Sequence, residues 1–156
     1  QILELLDDDV FVSFAPGEKY ARRGLKQIGD IIERCRFVFL NQREIGQLTS
    51  LSPIDGCRAL VEKGARIVAC TLGDQGSLIV TKNSEIRVPV KRALVVDTTG
   101  AGDVYAAGFL AGYLDGANLE ACGSIASAAA ALSLSSYGRR GYPDERFLRR
   151  FARELL

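Results

Sequence analysis

The sequence of 156 residues contains no histidine. This absence excludes the Ser-His-Asp and Cys-His nucleophile systems, and it excludes zinc sites that depend on imidazole. Charge of either sign is not in excess, because 20 Lys and Arg residues face 19 Asp and Glu residues, for a formal net charge of +1. Without a basic surplus there is no electrostatic case for binding nucleic acid or an anionic membrane. We therefore expect neither of these as a partner.

Cysteines are few and show no metal-binding or redox spacing. The four of them, at positions 35, 57, 70 and 122, form no C-x-x-C pair and lie in apolar surroundings. We expect buried, reduced core residues and hence a cytoplasmic compartment. Long hydrophobic runs are also missing, because the longest charge-free stretch, 121–138, is interrupted by five serines. A membrane span is not expected there, and residues 1–9 do not resemble a signal peptide.

Hydrophobic patterning alternates between short apolar runs and amphipathic segments along the first two thirds of the chain. It predicts strands at 10–14, 37–40, 66–71, 77–81, 85–90 and 94–96. It predicts helices at 25–35, 53–63, 104–114 and 119–137 and a last one opened by Pro143. Strands alternating with helices of these lengths indicate an α/β fold, with a mainly parallel sheet covered by helices.

The last predicted helix has two different faces. Apolar side chains occupy one face and arginines the other: Phe147, Leu148, Phe151 and Leu155 against Arg146, Arg149, Arg150 and Arg153. An arginine face could bind an anion, but a solvated helix surface is the interpretation that such a pattern favours.

Three polar clusters follow predicted strands: 41–44, 71–76 and 97–103. In open α/β sheets, ligands bind outside the carboxyl ends of the strands. We therefore expect the candidate site where these clusters meet.

The third cluster has the strongest chemistry. Gly100-Ala101-Gly102 leads into a predicted helix, so the amides of Ala101, Gly102 and Asp103 should be unpaired donors suited to a phosphate. Asp103 adds a carboxylate beside them. An anion hole next to a carboxylate suggests phosphoryl transfer to a hydroxyl group. A simple glycine cap is the structural alternative.

Two other nucleotide motifs fit the sequence poorly. A dinucleotide fingerprint would need a small residue where Tyr105 stands, and Glu120 opens a helix where an acidic strand end is expected. The sequence also contains no G-x-x-x-x-G-K-[ST] motif, which excludes a P-loop enzyme.

Asp97-Thr-Thr-Gly-Ala-Gly-Asp103 resembles the D-T-x-G-A-G-D motif of the ribokinase-like (PfkB) sugar and nucleoside kinases. Asn41-x-x-Glu44 and Thr71-Leu-Gly-x-x-Gly76 are similar to two further motifs of that family. The resemblance implies a three-layer αβα fold, present here incompletely. Residues 1–156 would be the C-terminal nucleotide-binding and catalytic part, with the N-terminal substrate and lid half absent.

The same resemblance implies a role for each site residue. Asp103 would be the catalytic base, and Gly100, Ala101 and Gly102 the anion hole for the γ-phosphate of ATP. Asn41 and Glu44 would hold Mg²⁺ through water, although their spacing also fits an ordinary helix start. The nucleotide would be bordered by Thr71, Gly73, Gly76, Thr98 and Ser127. Asp97 would belong to a monovalent cation (K⁺) loop or would brace its own loop, and Ser127 could equally serve helix packing.

The expected function is ATP-dependent, Mg²⁺-requiring phosphorylation of an alcohol group on a small-molecule sugar or nucleoside. Two alternatives remain open at this point. The chain could bind ATP or ADP without catalysis, or it could self-associate, for example as a homodimer, through an exposed apolar edge. The segment 137–143 departs from the simpler Gly-Ala loop of many family members.

Overall fold

A computed structural model describes residues 3–7 and 9–155, without the side chains of residues 4, 149 and 152–155. The chain divides into two compact units. The first comprises Gln1–Leu72 with Leu78–Glu85, and the second comprises Gly73–Ser77 with Ile86–Leu156.

The first unit alternates strands and helices as the sequence predicts. Its elements are β1 (Ser13–Phe14), α1 (Gly17–Ala21), α2 (Leu25–Arg34), β2 (Phe37–Asn41), α3 (Gln42–Thr49), α4 (Pro53–Glu62), β3 (Ile67–Thr71) and β4 (Ser77–Thr81). The strands neighbour one another in the order β1-β2-β3-β4. Both β1 with β2 and β2 with β3 run parallel. This confirms the parallel arrangement expected from the alternation.

The core of the first unit lies around β2 and β3. Each strand has four consecutive buried residues before its last residue, so both faces of the sheet are covered at these strands. Ile32 of α2, Ile45 of α3 and Leu60 of α4 are fully buried in the same cluster. Burying an aliphatic side chain of this size contributes about 1.5–3 kcal/mol. The cluster therefore holds the carboxyl ends of β2 and β3 in a fixed register.

Helix α4 shows how local sequence fixes an element. The Ser52 hydroxyl accepts a hydrogen bond from the Asp55 amide at 3.3 Å, and Pro53 occupies the first turn. Both features favour a helix start at this point. The predicted helix 53–63 is confirmed, with Lys63 as its C-terminal cap.

The second unit is mostly helical. It contains β5 (Glu85–Val88), α5 (Ala101–Leu114), α6 (Leu119–Leu134) and α7 (Glu145–Leu155). Its small residues permit close helix packing. A Cβ on Gly108 would lie 3.0 Å from Ala129 Cβ, and one on Gly112 would lie 2.9 Å from Ile125 Cδ1. Larger side chains on this face of α5 would separate the two helices.

Three short helical turns of the 3-10 type complete the described structure. They are Leu3–Leu5, Gly73–Gln75 and Gly138–Gly141. The sequence pattern did not predict these turns or α1. In α7, Phe147 and Phe151 stack with ring centroids 6.1 Å apart, as expected for one apolar face. Of the other residues assigned to the two faces, Arg149, Arg153 and Leu155 have side chains outside the described part.

The predicted strand 94–96 is wrong. This segment forms no strand, and Leu94 and Val95 are 78% and 61% exposed. The amides of Val96 and Asp97 instead donate to the Leu134 carbonyl, at 2.8 and 3.3 Å. A β-prone run becomes a strand only when a neighbour supplies a hydrogen-bond ladder, and here the end of α6 takes the available donors.

Other predicted boundaries shift by a few residues. Strand β1 covers only the end of the predicted 10–14 segment, and β5 ends at Val88, before Pro89. Helix α5 begins at Ala101, three residues before its predicted start, and α6 ends at Leu134, where the Ser135 amide turns back to the Leu132 carbonyl at 3.1 Å. Helix α7 begins at Glu145, two residues after Pro143.

All four cysteines are buried and free, as predicted. A hydrogen bond with Cys70, together with burial, raises the pKa of the Cys57 thiol far above its usual range. Burial raises the pKa of Cys35 and of Cys122 to about 11. These thiols stay protonated at neutral pH and are therefore poor nucleophiles.

Among the described residues, every helix is too short or too polar to cross a lipid bilayer.

Candidate functional site

In the first unit, the predicted polar residues Asn41 and Thr71 lie side by side at the carboxyl ends of their strands. Asn41 ends β2, Thr71 ends β3, and the two are register partners in the parallel sheet. Helix α3 begins immediately after Asn41. The expectation that polar clusters share this edge is therefore met by Asn41, Glu44 and Thr71 within the first unit.

Asn41 and Glu44 form a capping box at the start of α3. The Asn41 Oδ1 accepts from the Glu44 amide, and Glu44 Oε2 accepts from the Asn41 amide, each at 2.9 Å. Such reciprocal bonds satisfy two amides that a helix start otherwise leaves unpaired. The helix-start interpretation of this spacing therefore describes what these side chains do in the structure.

The side chains of Asn41 and Glu44 carry oxygen atoms of the kind that bind magnesium, but two side chains are too few to fill its coordination sphere. Carboxylate and amide oxygens suit Mg²⁺, which usually keeps several waters. Among the described residues, no group of three or more His, Cys, Asp or Glu side chains could hold a metal ion. An ion held by Asn41 and Glu44 would therefore be bound largely through water.

In the second unit, Gly73 and Gly76 bracket a short turn, and both have a positive φ, of +65° and +85°. The Gly76 amide closes the turn on the Gly73 carbonyl at 3.2 Å. A Cβ on Gly76 would lie 2.1 Å from the Val88 carbonyl oxygen, whereas a Cβ on Gly73 would meet nothing within 4 Å. Gly76 is thus required by backbone packing, and Gly73 leaves open space above the turn.

The glycine turn, defined as Gly100–Asp103, opens α5. Gly100 caps the helix with φ +76°, and no side chain supplies a capping hydrogen bond. Gly102 is exposed, and a Cβ there would meet nothing within 4 Å. Asp103 is exposed in the first turn of the helix. The turn therefore presents backbone and a carboxylate to open space at the positive end of the helix dipole.

One expected donor of this turn is already engaged. The Ala101 amide donates to the Thr98 carbonyl at 3.3 Å, so the expectation of three unpaired amides is wrong for Ala101. Thr98 itself is exposed, and it contributes this carbonyl to the turn. The amides of Gly102 and Asp103 precede the first residue, Val104, whose amide bonds back within the helix, to Gly100 at 2.9 Å.

Asp97 braces the loop that leads into the glycine turn. Its Oδ1 accepts from the Thr99 amide at 2.9 Å, and its Oδ2 accepts from the Gly138 amide at 3.1 Å. The hydrogen bond from Thr99, followed by that from Gly138, lowers the pKa of this carboxyl. Of the two roles considered for Asp97, loop bracing is the one these contacts describe.

Ser127 lies buried in α6 with its hydroxyl already engaged. It accepts from the Lys91 amide at 3.2 Å and donates to the Pro89 carbonyl at 3.3 Å. These bonds attach the segment after β5 to the helix. The packing interpretation of Ser127 therefore describes its observed contacts.

Sequence patterns missed three residues that support the glycine turn or its helix. Tyr105 is buried, and its hydroxyl donates to Ser77 Oγ at 2.8 Å, which anchors α5. Gly138 supplies the amide that Asp97 accepts, and the Tyr142 hydroxyl lies next to Gly100. The unusual segment 137–143 was the one sequence feature that could have pointed to Gly138 and Tyr142. No short-range sequence pattern, however, links this segment to a turn some 40 residues earlier.

Comparison with known proteins identifies relatives that match most of this chain. Residues 11–145 match the family model described as pfkB family carbohydrate kinase. A protein named as an uncharacterized sugar kinase from Archaeoglobus fulgidus is 41% identical over 133 residues, which is 85% of this chain and 53% of that protein.

Two solved structures extend the comparison to the fold. The nucleoside kinase of Methanocaldococcus jannaschii, described as an archaeal member of the ribokinase family, superimposes with a TM-score of 0.82 and 30% identity, covering 98% of this chain and 51% of that one. The Arabidopsis thaliana ribokinase complexed with ribose and ATP gives a TM-score of 0.73 and 26% identity, covering 80% and 43%. The chain spans about half the length of these relatives. The expected α/β fold class, incomplete relative to the family, is confirmed, and the chain belongs to the pfkB family of carbohydrate kinases.

Proposed function

We propose that this chain is the nucleotide-binding and catalytic part of an ATP-dependent kinase. The kinase moves the γ-phosphate of ATP to an alcohol group of a sugar or a nucleoside. Membership in the pfkB family and relatives named as sugar and nucleoside kinases support this class of reaction. The Arabidopsis ribokinase solved with ribose and ATP supports ATP as the phosphate donor.

The observation that carries the proposal is the open glycine turn. Gly102 has free space where a Cβ would stand, and Asp103 is exposed one residue later. A phosphate placed there would accept hydrogen bonds from the amides of Gly102 and Asp103 at the positive end of α5. Gly100 gives the turn its left-handed conformation, and Ala101 closes it on Thr98.

Asp103 acts as the base in this reaction. It takes the proton from the acceptor hydroxyl while that oxygen forms a bond to the γ-phosphorus. The bond from the γ-phosphorus to the bridging oxygen breaks, and ADP leaves with the electron pair. Negative charge on the transferring group is stabilised by the turn amides, which need no reorganisation because the helix already orients them.

Mg²⁺, when bound, supplies positive charge that neutralises the phosphate oxygens. Asn41 and Glu44 would hold it through water while keeping their capping hydrogen bonds. Thr71, the register partner of Asn41, adds a polar side chain at the same sheet edge. Gly73 leaves room for the nucleotide in its own turn, whereas Gly76 and Ser127 act through packing. Asp97 orders the loop through its bonds from the Thr99 and Gly138 amides.

The decisive experiment is Asp103→Asn, with Asp115→Asn as a matched control. Both aspartates are exposed and lie at opposite ends of α5. Loss of a general base should lower turnover roughly 10²- to 10⁴-fold, with little change in nucleotide affinity. A coupled assay of ADP release measures turnover, in the chain and in any longer protein that its gene encodes. Near-normal turnover of Asp103→Asn, or an equal loss in Asp115→Asn, would contradict the role of Asp103.

A second experiment separates nucleotide binding from catalysis by these 156 residues. Calorimetric titration with ATP and with ADP measures binding, and the coupled assay with a panel of sugars and nucleosides measures transfer. Binding with turnover supports the proposed reaction in the chain itself. Binding without turnover supports the alternative in which the chain alone only holds nucleotide. Absence of binding would argue against the glycine turn as a phosphate site.

A further inference from the structure

The segment Tyr137–Tyr142 is attached at both ends to structure around the glycine turn. At its start, the Gly138 amide donates to Asp97 Oδ2 at 3.1 Å. At its end, Gly141 packs so closely on α6 that a Cβ would lie 2.8 Å from the Ser133 carbonyl oxygen. Between these points a short helical turn closes when the Tyr142 amide donates to the Arg139 carbonyl at 3.2 Å. The position of Tyr142 is therefore set by the contacts of its own amide and of the residues just before it.

Tyr142 meets the glycine turn at Gly100. The Tyr142 hydroxyl oxygen lies 2.7 Å from the point that a Cβ on Gly100 would occupy, and its Cζ lies 3.7 Å from the same point. Apart from Gly100 and its two chain neighbours, the described residues place only these two atoms within 4 Å of that point. The side chain of Tyr142 therefore fills the space that the missing Cβ of Gly100 leaves.

We propose that Tyr142 is a positioning residue that fixes the conformation of the glycine turn. Its hydroxyl packs on Gly100, while Asp97 ties the preceding loop to Gly138. The turn is thus held against segment 137–142 at two points, which keeps the amides of Gly102 and Asp103 in one orientation. The part of this proposal that concerns nucleotide affinity rests on the proposed function, whereas the part that concerns turn conformation stands without it.

A competing account is that the Tyr142 ring simply rests near Gly100 and can swing away. In that case a side chain at residue 100 would displace the ring at little cost, and changes at residues 100 and 142 would act independently. The two accounts differ in whether the effects of the two substitutions are additive.

A double-mutant cycle tests this coupling with Gly100→Ala, Tyr142→Phe and the combined variant. Gly100→Ala should speed hydrogen exchange of the Thr99 and Ala101 amides, which are bonded to Asp97 and Thr98, because its Cβ meets the hydroxyl and alanine disfavours φ +76°. Phenylalanine at residue 142 removes the hydroxyl and leaves the 3.7 Å contact of Cζ. Exchange in the combined variant should therefore be at least about threefold slower than in Gly100→Ala alone. The φ strain remains in the combined variant, so the rescue is partial. Additive effects would overturn the proposal.

Tyr137→Phe is the matched control, because Tyr137 begins the same segment and is exposed. It should not rescue Gly100→Ala, and an equal rescue by it would overturn the specific contact. If circular dichroism shows that Gly100→Ala does not fold, the variant Tyr142→Ala, which keeps Gly100, tests the proposal instead. It should speed exchange of the Thr99 and Ala101 amides at least about threefold, and unchanged exchange would overturn the proposal.

The same variants titrated with a non-hydrolysable ATP analogue extend the test to binding. Tyr142→Phe should restore the affinity that Gly100→Ala loses, as it restores slow exchange. If the two substitutions are coupled in exchange but not in affinity, Tyr142 has only a structural role, and its positioning of a ligand site is overturned. If the unchanged chain does not bind the analogue, the proposed function fails, while the exchange cycle still decides whether Tyr142 fixes the turn.

Discussion

Helices α3 and α5 both begin at residues that the sequence marks as ligand-binding, but they satisfy their first amides in different ways. At α3, Asn41 and Glu44 bond each other's backbone amides and close the helix start. At α5, the cap is Gly100, no side chain accepts from the first turn, and Gly102 faces open space. A phosphate at α5 therefore meets no competing side chain at the amides of Gly102 and Asp103, whereas at α3 side chains already occupy the amides of Asn41 and Glu44.

This difference assigns separate tasks to the two motifs. At the α3 start, the side-chain oxygens of Asn41 and Glu44 are the groups that suit a hydrated cation. The α5 start offers amides and a carboxylate, which suit an anion and a proton transfer. Substitutions at the two starts should therefore affect different properties, one mainly stability and the other mainly ligand affinity.

The largest difference is expected for Gly102→Leu in α5. Because a Cβ at this position meets nothing within 4 Å, the fold should accept leucine, and a better helix former should keep or raise stability by about 0.5–1 kcal/mol. The same side chain fills the space above the turn amides. Affinity for a non-hydrolysable ATP analogue, which carries a γ-phosphate group, should fall at least about tenfold, which is about 1.4 kcal/mol. Calorimetry measures the affinity, and urea unfolding measures the stability.

Ala107→Leu provides the control for Gly102→Leu, because Ala107 is exposed on the same helix beyond its first turn. It should leave affinity for the same ATP analogue unchanged. Unaltered affinity in Gly102→Leu, or an equal loss in Ala107→Leu, would show that the start of α5 is not where phosphate binds.

Local features of this contrast could be read from sequence, and long-range ones could not. The buried strands 37–40 and 66–71 and the helix from Pro53 were predictable because apolar runs and caps act within a few residues. The capping alternative at Asn41 and Glu44 was predictable from their spacing alone. The engagement of Ala101 with Thr98 was not, because it depends on how the loop from Asp97 is folded.

The failed strand at 94–96 and the missed Tyr142 have a common cause. A strand needs a neighbour, and nothing in residues 94–96 says that the carbonyl of Leu134 will take their donors. In the same way, Gly100 and Tyr142 are 42 positions apart, and only the packing of the end of α6 brings them together. Tertiary contacts of this kind override local propensity without leaving a pattern in the sequence.

A smaller effect is expected at α3. Asn41→Ala removes the acceptor for the Glu44 amide and should lower the free energy of unfolding by about 1 kcal/mol. Asn41→Asp keeps an acceptor there and should leave stability nearly unchanged. Urea unfolding without added metal measures both. Affinity for ADP in the absence of Mg²⁺ should be the same in both variants, and a loss in Asn41→Ala would mean that the two helix starts do not have separate tasks.

The smallest effect concerns two carboxylates with lowered pKa values, Asp97 beside the α5 turn and Glu18 in α1. The pKa of Glu18 is lowered chiefly by a hydrogen bond from Arg22, that of Asp97 chiefly by a backbone amide. A lowered folded pKa means that each stabilises the chain above its unfolded pKa, about 4, and loses this as pH falls through the folded value. Stability should therefore decline below pH about 4, and less steeply in Asp97→Asn and in Glu18→Gln.

Salt separates the two carboxylates. Arg22 and Arg43 are charged and exposed, so salt near 1 M, where the Debye length is about 3 Å, should weaken the Glu18 contribution. The amides of Thr99 and Gly138 are neutral and lie within hydrogen-bond distance of Asp97, so its contribution should persist. Urea unfolding from pH 3 to 7 at low and high salt measures both. If salt removed the Asp97 contribution as well, charge rather than backbone bonding would hold the loop that leads into the glycine turn.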